Sequence, residues 1–147
     1  MGKATGMRIT RLFTKTGEDP LDSVEWGRRD SRITNPDGSV VFETKDAEIP
    51  ASWSQVAADI MVSKYLRKAG VPQLDEAGEP IRDDEGRVEL GPERSARQVI
   101  RRLTSTWRWW GEHHGYFASE ADARAFEDEL AHMLVNQMAA PNSPQWF

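Results

Sequence analysis

Glu129 and His132 stand three residues apart, the Glu-x-x-His spacing that turns both side chains to one side of a helix in carboxylate bundles holding two metal ions. Such a site needs a second copy and bridging glutamates. This chain has one copy, and His132 projects about 180° from the centre of its helix's apolar stripe, so a surface pair is expected. His113 and His114 follow Glu112, but consecutive helical residues diverge and no third ligand stands at metal spacing. Histidines favoured by the negative end of a helix are the simpler reading. Arg94, Arg97, Arg101 and Arg108, with Trp109 near them, form one basic helix side. Charged helix faces are common, so a solvated face is expected rather than a nucleotide or partner contact. Ser143 lies in a Pro-bracketed segment with Pro141, Asn142 and Pro144, where a hydroxyl and nearby backbone N–H groups can face an anion, although a plain turn or strand role comes first on residues alone. The chain has no cysteine, which excludes thiol nucleophiles, thiyl radicals and thiolate metal sites within it. No Ser-His-Asp pattern, P-loop or Gly-rich dinucleotide fingerprint occurs either, so there is no self-sufficient active site.

Two amphipathic patterns in residues 91–147 position most of these groups. Ala96, Val99, Ile100, Leu103, Trp107 and Trp110 recur every three or four residues, the mark of a helix with one buried face. After a turn at Gly115, Ser119 and Asp122 cap a second helix whose stripe is Ala123, Phe126, Leu130, Met133, Leu134 and Met138. The short connection predicts an antiparallel pair packed through the two stripes, with Tyr116 and Phe117 plugging the open end. Pro141 and Pro144 then predict an extended, strand-like segment.

Upstream, residues 1–22 read as an extended arm anchored by Ile9, Leu12 and Phe13. Asn35-Pro36-Asp37-Gly38 between β-prone flanks predicts a hairpin that needs cover from the helices or a partner. A third helix starts at Ser52 or Ser54, carries Val56, Ala57, Ile60, Met61 and Lys64 along one side, and ends at Gly70. Residues 72–93 hold eight acidic side chains (Asp75, Glu76, Glu79, Asp83, Asp84, Glu85, Glu89 and Glu93) and few apolar anchors. They read as a loop, with a small hairpin across Asp84-Glu85-Gly86 as the alternative. We find no internal repeat in the sequence. The fold class is mainly α with a small β-hairpin.

With 147 residues, 38% hydrophobic and 29% charged, the chain suits one modest domain. No apolar run approaches the roughly 20 residues that span a bilayer, and the N-terminus lacks a secretory pattern, so a cytoplasmic protein is expected. A net charge of −5 argues against general attraction to phosphate backbones.

Several runs in order resemble one family: Trp110-Gly111 with Gly115-Tyr116-Phe117, the run SEADARAFEDEL at 119–130, and above all QMAAPNSPQWF at 137–147. ITNPDGSVVFE at 33–43 and WSQVAADIMVSKYLRKAGVP at 53–72 agree. They are similar to the N-terminal domain of class II, adenosylcobalamin-dependent ribonucleotide reductase, from about residue 11 to 147 except in the acidic stretch. The resemblance implies a helical domain (23–140) that follows the arm, carries the acidic loop (72–93), and precedes and packs on a ten-stranded α/β barrel absent from this chain. It also implies that residues 141–147 begin the first barrel strand and that Ser143 contacts the ribonucleotide substrate. The barrel, the adenosylcobalamin site, the radical and reducing cysteines and the catalytic residues would belong to the missing barrel part, the expected partner. The whole would convert ribonucleoside di- or triphosphates to deoxyribonucleotides for DNA synthesis. A stand-alone helical binding or regulatory module without catalysis is the alternative, with a nucleic-acid-binding protein behind it.

Overall fold

The computed structural model describes residues 6–75 and 77–147, so the first residues of the expected arm and Glu76 of the acidic stretch lie outside the described residues. In chain order come a 3-10 turn (Pro20–Ser23), strands β1 (Trp26–Thr34) and β2 (Val40–Pro50), helix α1 (Gln55–Ile60) running into a π-helical turn (Met61–Tyr65), and short strands β3 (Val71–Pro72) and β4 (Leu90–Gly91). Helices α2 (Ala96–His113), α3 (Glu120–Val135) and α4 (Ser143–Trp146) follow. Among the described residues two two-stranded sheets accompany the helices, so the class is mixed α and β rather than mainly α with one small hairpin. The chain divides into two compact units, one of Met1–Gly27, Pro50–Ser52 and Ile100–Trp146, the other of Arg28–Ile49, Trp53–Val99 and Phe147.

In the second unit the Asn35–Gly38 turn forms as expected. Gly38 takes a φ of 84°, Asn35 N–H donates to Ser39 O at 2.8 Å, and Asp37 accepts from both the N–H and the hydroxyl of Ser39. The strands continue past the β-prone flanks to nine and eleven residues; the far end of β2 is buried at Ala47, Ile49 and Pro50, and β1 encloses Ser31. Near the turn, Ile33, Val40 and Val41 are exposed.

Ser54 caps α1, its hydroxyl accepting from Ala57 N–H at 3.1 Å. The helix does not run to Gly70. It widens at Met61, Leu66 N–H donates back to Met61 O at 3.0 Å, and Leu66 itself is extended. A π turn takes an extra residue, so a stripe read at 3.6 residues per turn slips out of phase. Ala58, Met61, Val62 and Leu66 are buried with Trp53, whereas Val56 and Ile60 of the expected stripe are exposed.

The acidic stretch is organised where a loop is expected. Arg82 bridges Val88 across the second turn, so the small hairpin forms, and Leu74 bridges Pro80 across a first one. Both turns are built alike: Asp75 Oδ1 accepts from Ala77 and Glu79 N–H, and Asp83 Oδ1 accepts from Glu85 and Arg87 N–H. Gly78 and Gly86 supply the positive φ in each. The three legs close a ring of backbone bonds, Ile81 N–H to Gln73 O, Glu89 N–H to Ile81 O and Gln73 N–H to Glu89 O, all between 2.8 and 2.9 Å. A structural repeat of eight residues thus exists where none is read from sequence.

In the first unit, Ile100 and Leu103 of the α2 stripe are buried as predicted, with Thr104 buried beside them, but Trp107 is only partly covered and Trp110 is 51% exposed. The last turns of α2 bury the Thr104–Arg108–Gly111 side instead. Gly111 explains the shift: a Cβ there would lie 2.3 Å from the Phe117 ring, so the bare glycine lets that ring lie against the helix. Phe117 meets Phe126 with ring centroids 5.2 Å apart. Phe117 is therefore the plug, while Tyr116 remains exposed. Ser119 caps α3 as expected, its hydroxyl accepting from Asp122 N–H at 3.2 Å and donating to the Asp122 carboxylate. Ala123 and Leu134 of the α3 stripe are buried, but so are Ala125, Glu127, Ala131 and Val135, and Met138 is exposed. The 3-10 turn lies close to α3.

Candidate functional site

Ser143 opens α4, a single helical turn, and not the extended segment predicted from its prolines. Proline at the second helical position loses no hydrogen bond, because the first N–H groups of a helix have no partner within it. Ser143 is exposed and the turn is tied at both ends. Trp146 is 8% exposed, its indole Nε1–H donates to Pro141 O at 2.9 Å, and its carbonyl accepts from Arg102 of α2 at 2.7 Å. Gln145 N–H closes the turn on Asn142 O. The segment is held by its own tryptophan and by one arginine of α2, leaving the serine at the surface.

Glu129 and His132 do share a side of α3, but they hold the arm. Glu129 accepts from the N–H groups of Phe13 and Thr14 and from the Thr14 hydroxyl at 2.6 Å, and Phe13 stacks on His132 at 5.1 Å. Asp128 pairs with Arg11 at 2.7 Å, and Asp122 accepts from Ile9 N–H at 2.8 Å. Farther up, Met7 bridges Phe117, with its N–H on Tyr116 O and its O accepting from Ala118 N–H. Gly6 is needed there, since a Cβ would lie 2.5 Å from the Phe117 backbone. His132 is half-buried under Phe13 and does not point freely to water. Burial alone would raise the Glu129 pKa, but the Thr14 hydroxyl and the N–H groups of Leu12, Phe13 and Thr14 hold it below the ordinary carboxylate value. The Ser119 hydroxyl and Ile9 N–H do the same for Asp122.

Three of the four arginines of the basic side are ion-paired, while Arg94 is exposed. Arg101 pairs with Asp19, Arg97 reaches Glu48 at 3.7 Å, and Arg108 reaches Glu112 at 2.8 Å and the buried Glu127 at 3.0 Å. Burial alone would lower the Arg108 pKa, but the two carboxylates outweigh it and raise it. Trp109 stacks on His113 and His114 lies against Tyr116, so these rings face one another and not a metal. Among the described residues no group of three His, Cys, Asp or Glu is placed to hold a metal ion, and no helix is long and apolar enough to cross a membrane.

Sequence reasoning missed Arg102, whose bond to Trp146 fixes the Ser143 segment, and the arm-binding side of α3. The signal for the latter lay in Asp122, Asp128, Glu129 and His132, four polar residues at helical spacing opposite an apolar arm sequence.

A family model described as class II vitamin B12-dependent ribonucleotide reductase matches residues 27–137. The vitamin B12-dependent ribonucleotide reductase of Agrobacterium fabrum is 48% identical over 96% of this chain and 12% of its own length. That of Streptomyces avermitilis is 46% identical, and that of Rhodopirellula baltica 35%, each over 99% of this chain and 13% of the relative. The chain thus spans a small fraction of these proteins. The family model ends at Gln137, but the alignments at 99% coverage take in Ser143.

Proposed function

The chain belongs to the class II vitamin B12-dependent ribonucleotide reductases, as a segment of their N-terminal domain, and from that premise we propose that it is the scaffold carrying one edge of a ribonucleotide site. The barrel that completes the site belongs to the remaining polypeptide. The reaction of the whole converts ribonucleoside di- or triphosphates to deoxyribonucleotides, and Ser143 gives the substrate a hydroxyl from the rim. The observation that carries this reading is the tether of residues 141–146: a serine flanked by prolines is exposed while Trp146 and Arg102 fix the turn that bears it. Preorganisation of that kind is what a substrate-contacting group requires.

Adenosylcobalamin, when bound to the complete enzyme, supplies the radical chemistry. His113, His114 and His132 each lie against an aromatic ring, which supports placing the cobalamin site outside this chain. There is also no cysteine to carry a thiyl radical or a reducing dithiol. Both functions are assigned to the remaining polypeptide.

The test is complementation. Residues 1–147 alone, with adenosylcobalamin and a dithiol, should show no nucleotide reduction; mixed with the polypeptide that follows this segment in a relative, they should restore it. In the restored enzyme Ser143→Ala should lower kcat/KM by a factor worth about 1.5–3 kcal/mol, the scale of a hydrogen bond to a charged group. Unchanged kinetics would remove Ser143 from the site, and turnover by the chain alone would overturn the scaffold reading.

A further inference from the structure

In the unit built on the hairpin, three separate segments are laced side by side. Glu48 N–H donates to Arg94 O at 2.8 Å, Glu93 N–H donates to Arg67 O at 2.8 Å, and Arg67 N–H donates back to the Glu93 carboxylate at 2.9 Å. Between them lies a hollow of about 290 Å³ floored by Ala47, Leu66 and Pro92. Lys45 comes to it from β2, Lys68 from beyond the π turn and Arg94 from the approach to α2. Three cationic residues along the lining of one hollow stand out in a chain of net charge −5.

The carboxylates nearby are turned to other partners. Asp46 faces Arg28 at 3.8 Å, and Glu48 takes the Ser95 hydroxyl and Arg97. Glu93, the one acidic residue in the lining, is buried and bonded to Arg67 N–H. The Lys68 ammonium rests on neutral groups, the Val62 carbonyl and the face of the Phe42 ring at 4.4 Å.

We propose that this hollow is a binding site for a small organic phosphate, whose oxygens take Lys45, Lys68 and Arg94 and whose apolar part lies on Ala47, Leu66 and Pro92. A single carboxylate presents two oxygens in one plane and is satisfied by one forked arginine, whereas a phosphate directs three oxygens toward three separate donors. The volume approaches the lower end for small-molecule sites, and the apolar floor favours a phosphate ester over the bare ion. Burial holds the Lys68 pKa below its ordinary value, and an anion beside it reverses that penalty.

The site is independent of the reductase reading, since it is tested on residues 1–147 alone without turnover. Phenyl phosphate and inorganic phosphate are titrated at constant ionic strength while backbone amide shifts are followed by NMR. Saturable shifts are expected at Lys45, Ala47, Lys68 and Arg94, at lower concentration for phenyl phosphate. The double variant Lys45→Gln, Arg94→Gln should weaken binding by roughly tenfold or more. A charge-matched double variant at exposed positions elsewhere, Arg32→Gln with Lys64→Gln, should leave it unchanged. Shifts scattered over surface cations, an equal loss in the control variant, or no saturation with either ligand overturns the proposal. Retained amide dispersion in each variant shows that it is folded, so a loss of binding is read as a loss of the site.

Discussion

Gly111 sits two residues before the end of α2, where a glycine costs about 1 kcal/mol of helix propensity relative to alanine. Replacing it by alanine would recover that energy if space allowed, but the added Cβ falls 2.3 Å from the Phe117 ring. Overpacking of this kind costs about 1–3 kcal/mol, and the ring has little room to yield because it lies against Phe126. Gly111→Ala is therefore expected to lower stability in urea melts. The sign should reverse once the ring is gone: in a Phe117→Ala background the same change should be neutral or stabilising, and a destabilisation of equal size in both backgrounds would refute the steric account. The sequence shows the Trp-Gly and Gly-Tyr-Phe pairs plainly, yet periodicity cannot tell which aromatic is enclosed. Trp110 fits the stripe as well as Leu103 does and is exposed, because enclosure is decided by a ring approaching from the next loop.

Among the elements, α3 departs most from a reading based on one apolar stripe. Its outer side carries Asp122, Asp128, Glu129 and His132, and each holds part of residues 7–14. The arm is docked by carboxylates accepting from its backbone, which gives a pH dependence with a definite sign. Asp122 and Glu129 have folded pKa values below their ordinary ones. Their contribution is present above the unfolded pKa, near 4 for these acids, and is lost as pH falls through the depressed folded values. Amide shifts of Ile9, Phe13 and Thr14 should hold constant from neutral pH down to the carboxylate range and then move toward unstructured positions. Glu129→Gln should remove the acid-side step at Phe13 and Thr14 while Ile9 still follows Asp122. A midpoint above the ordinary carboxylate value, or an arm that stays docked until the whole chain unfolds, would contradict the assignment. The caps at Ser54 and Ser119 were legible because capping is local chemistry; the arm was not, because its partners lie more than 100 positions away. The π turn escaped for another reason, since a template of fixed period has no place for an extra residue.

At the scale of the whole chain, the stability core and the dispensable part can be separated by burial. Ile100 and Val99 are fully enclosed in the first half of α2, whereas Trp107, the larger residue on the same stripe, is only partly covered. Size alone would single out Trp107; enclosure singles out Ile100. The ring of backbone bonds joining Gln73, Ile81 and Glu89 gives the acidic stretch a definite shape, but nearly all its side chains are exposed, so its loss removes little apolar burial. The β3 and β4 register pairs Val71 with Gly91 and Pro72 with Leu90; carried two residues further, it would set Leu74 opposite Val88 once their present partners, Pro80 and Arg82, are removed. Residues 75–87 can therefore be replaced by Asn-Gly, a two-residue hairpin turn that preserves the register. Because closure entropy varies slowly with loop length, this replacement should change stability by less than about 1 kcal/mol. Ile100→Ala should cost about 2–5 kcal/mol, a large share of the margin of a domain this size. Parallel urea melts followed by tryptophan fluorescence and far-UV circular dichroism compare the two directly. A greater loss from the turn replacement than from Ile100→Ala would make the acidic module part of the folding core, and its ring of bonds would then have to be counted as structure on which the buried residues depend.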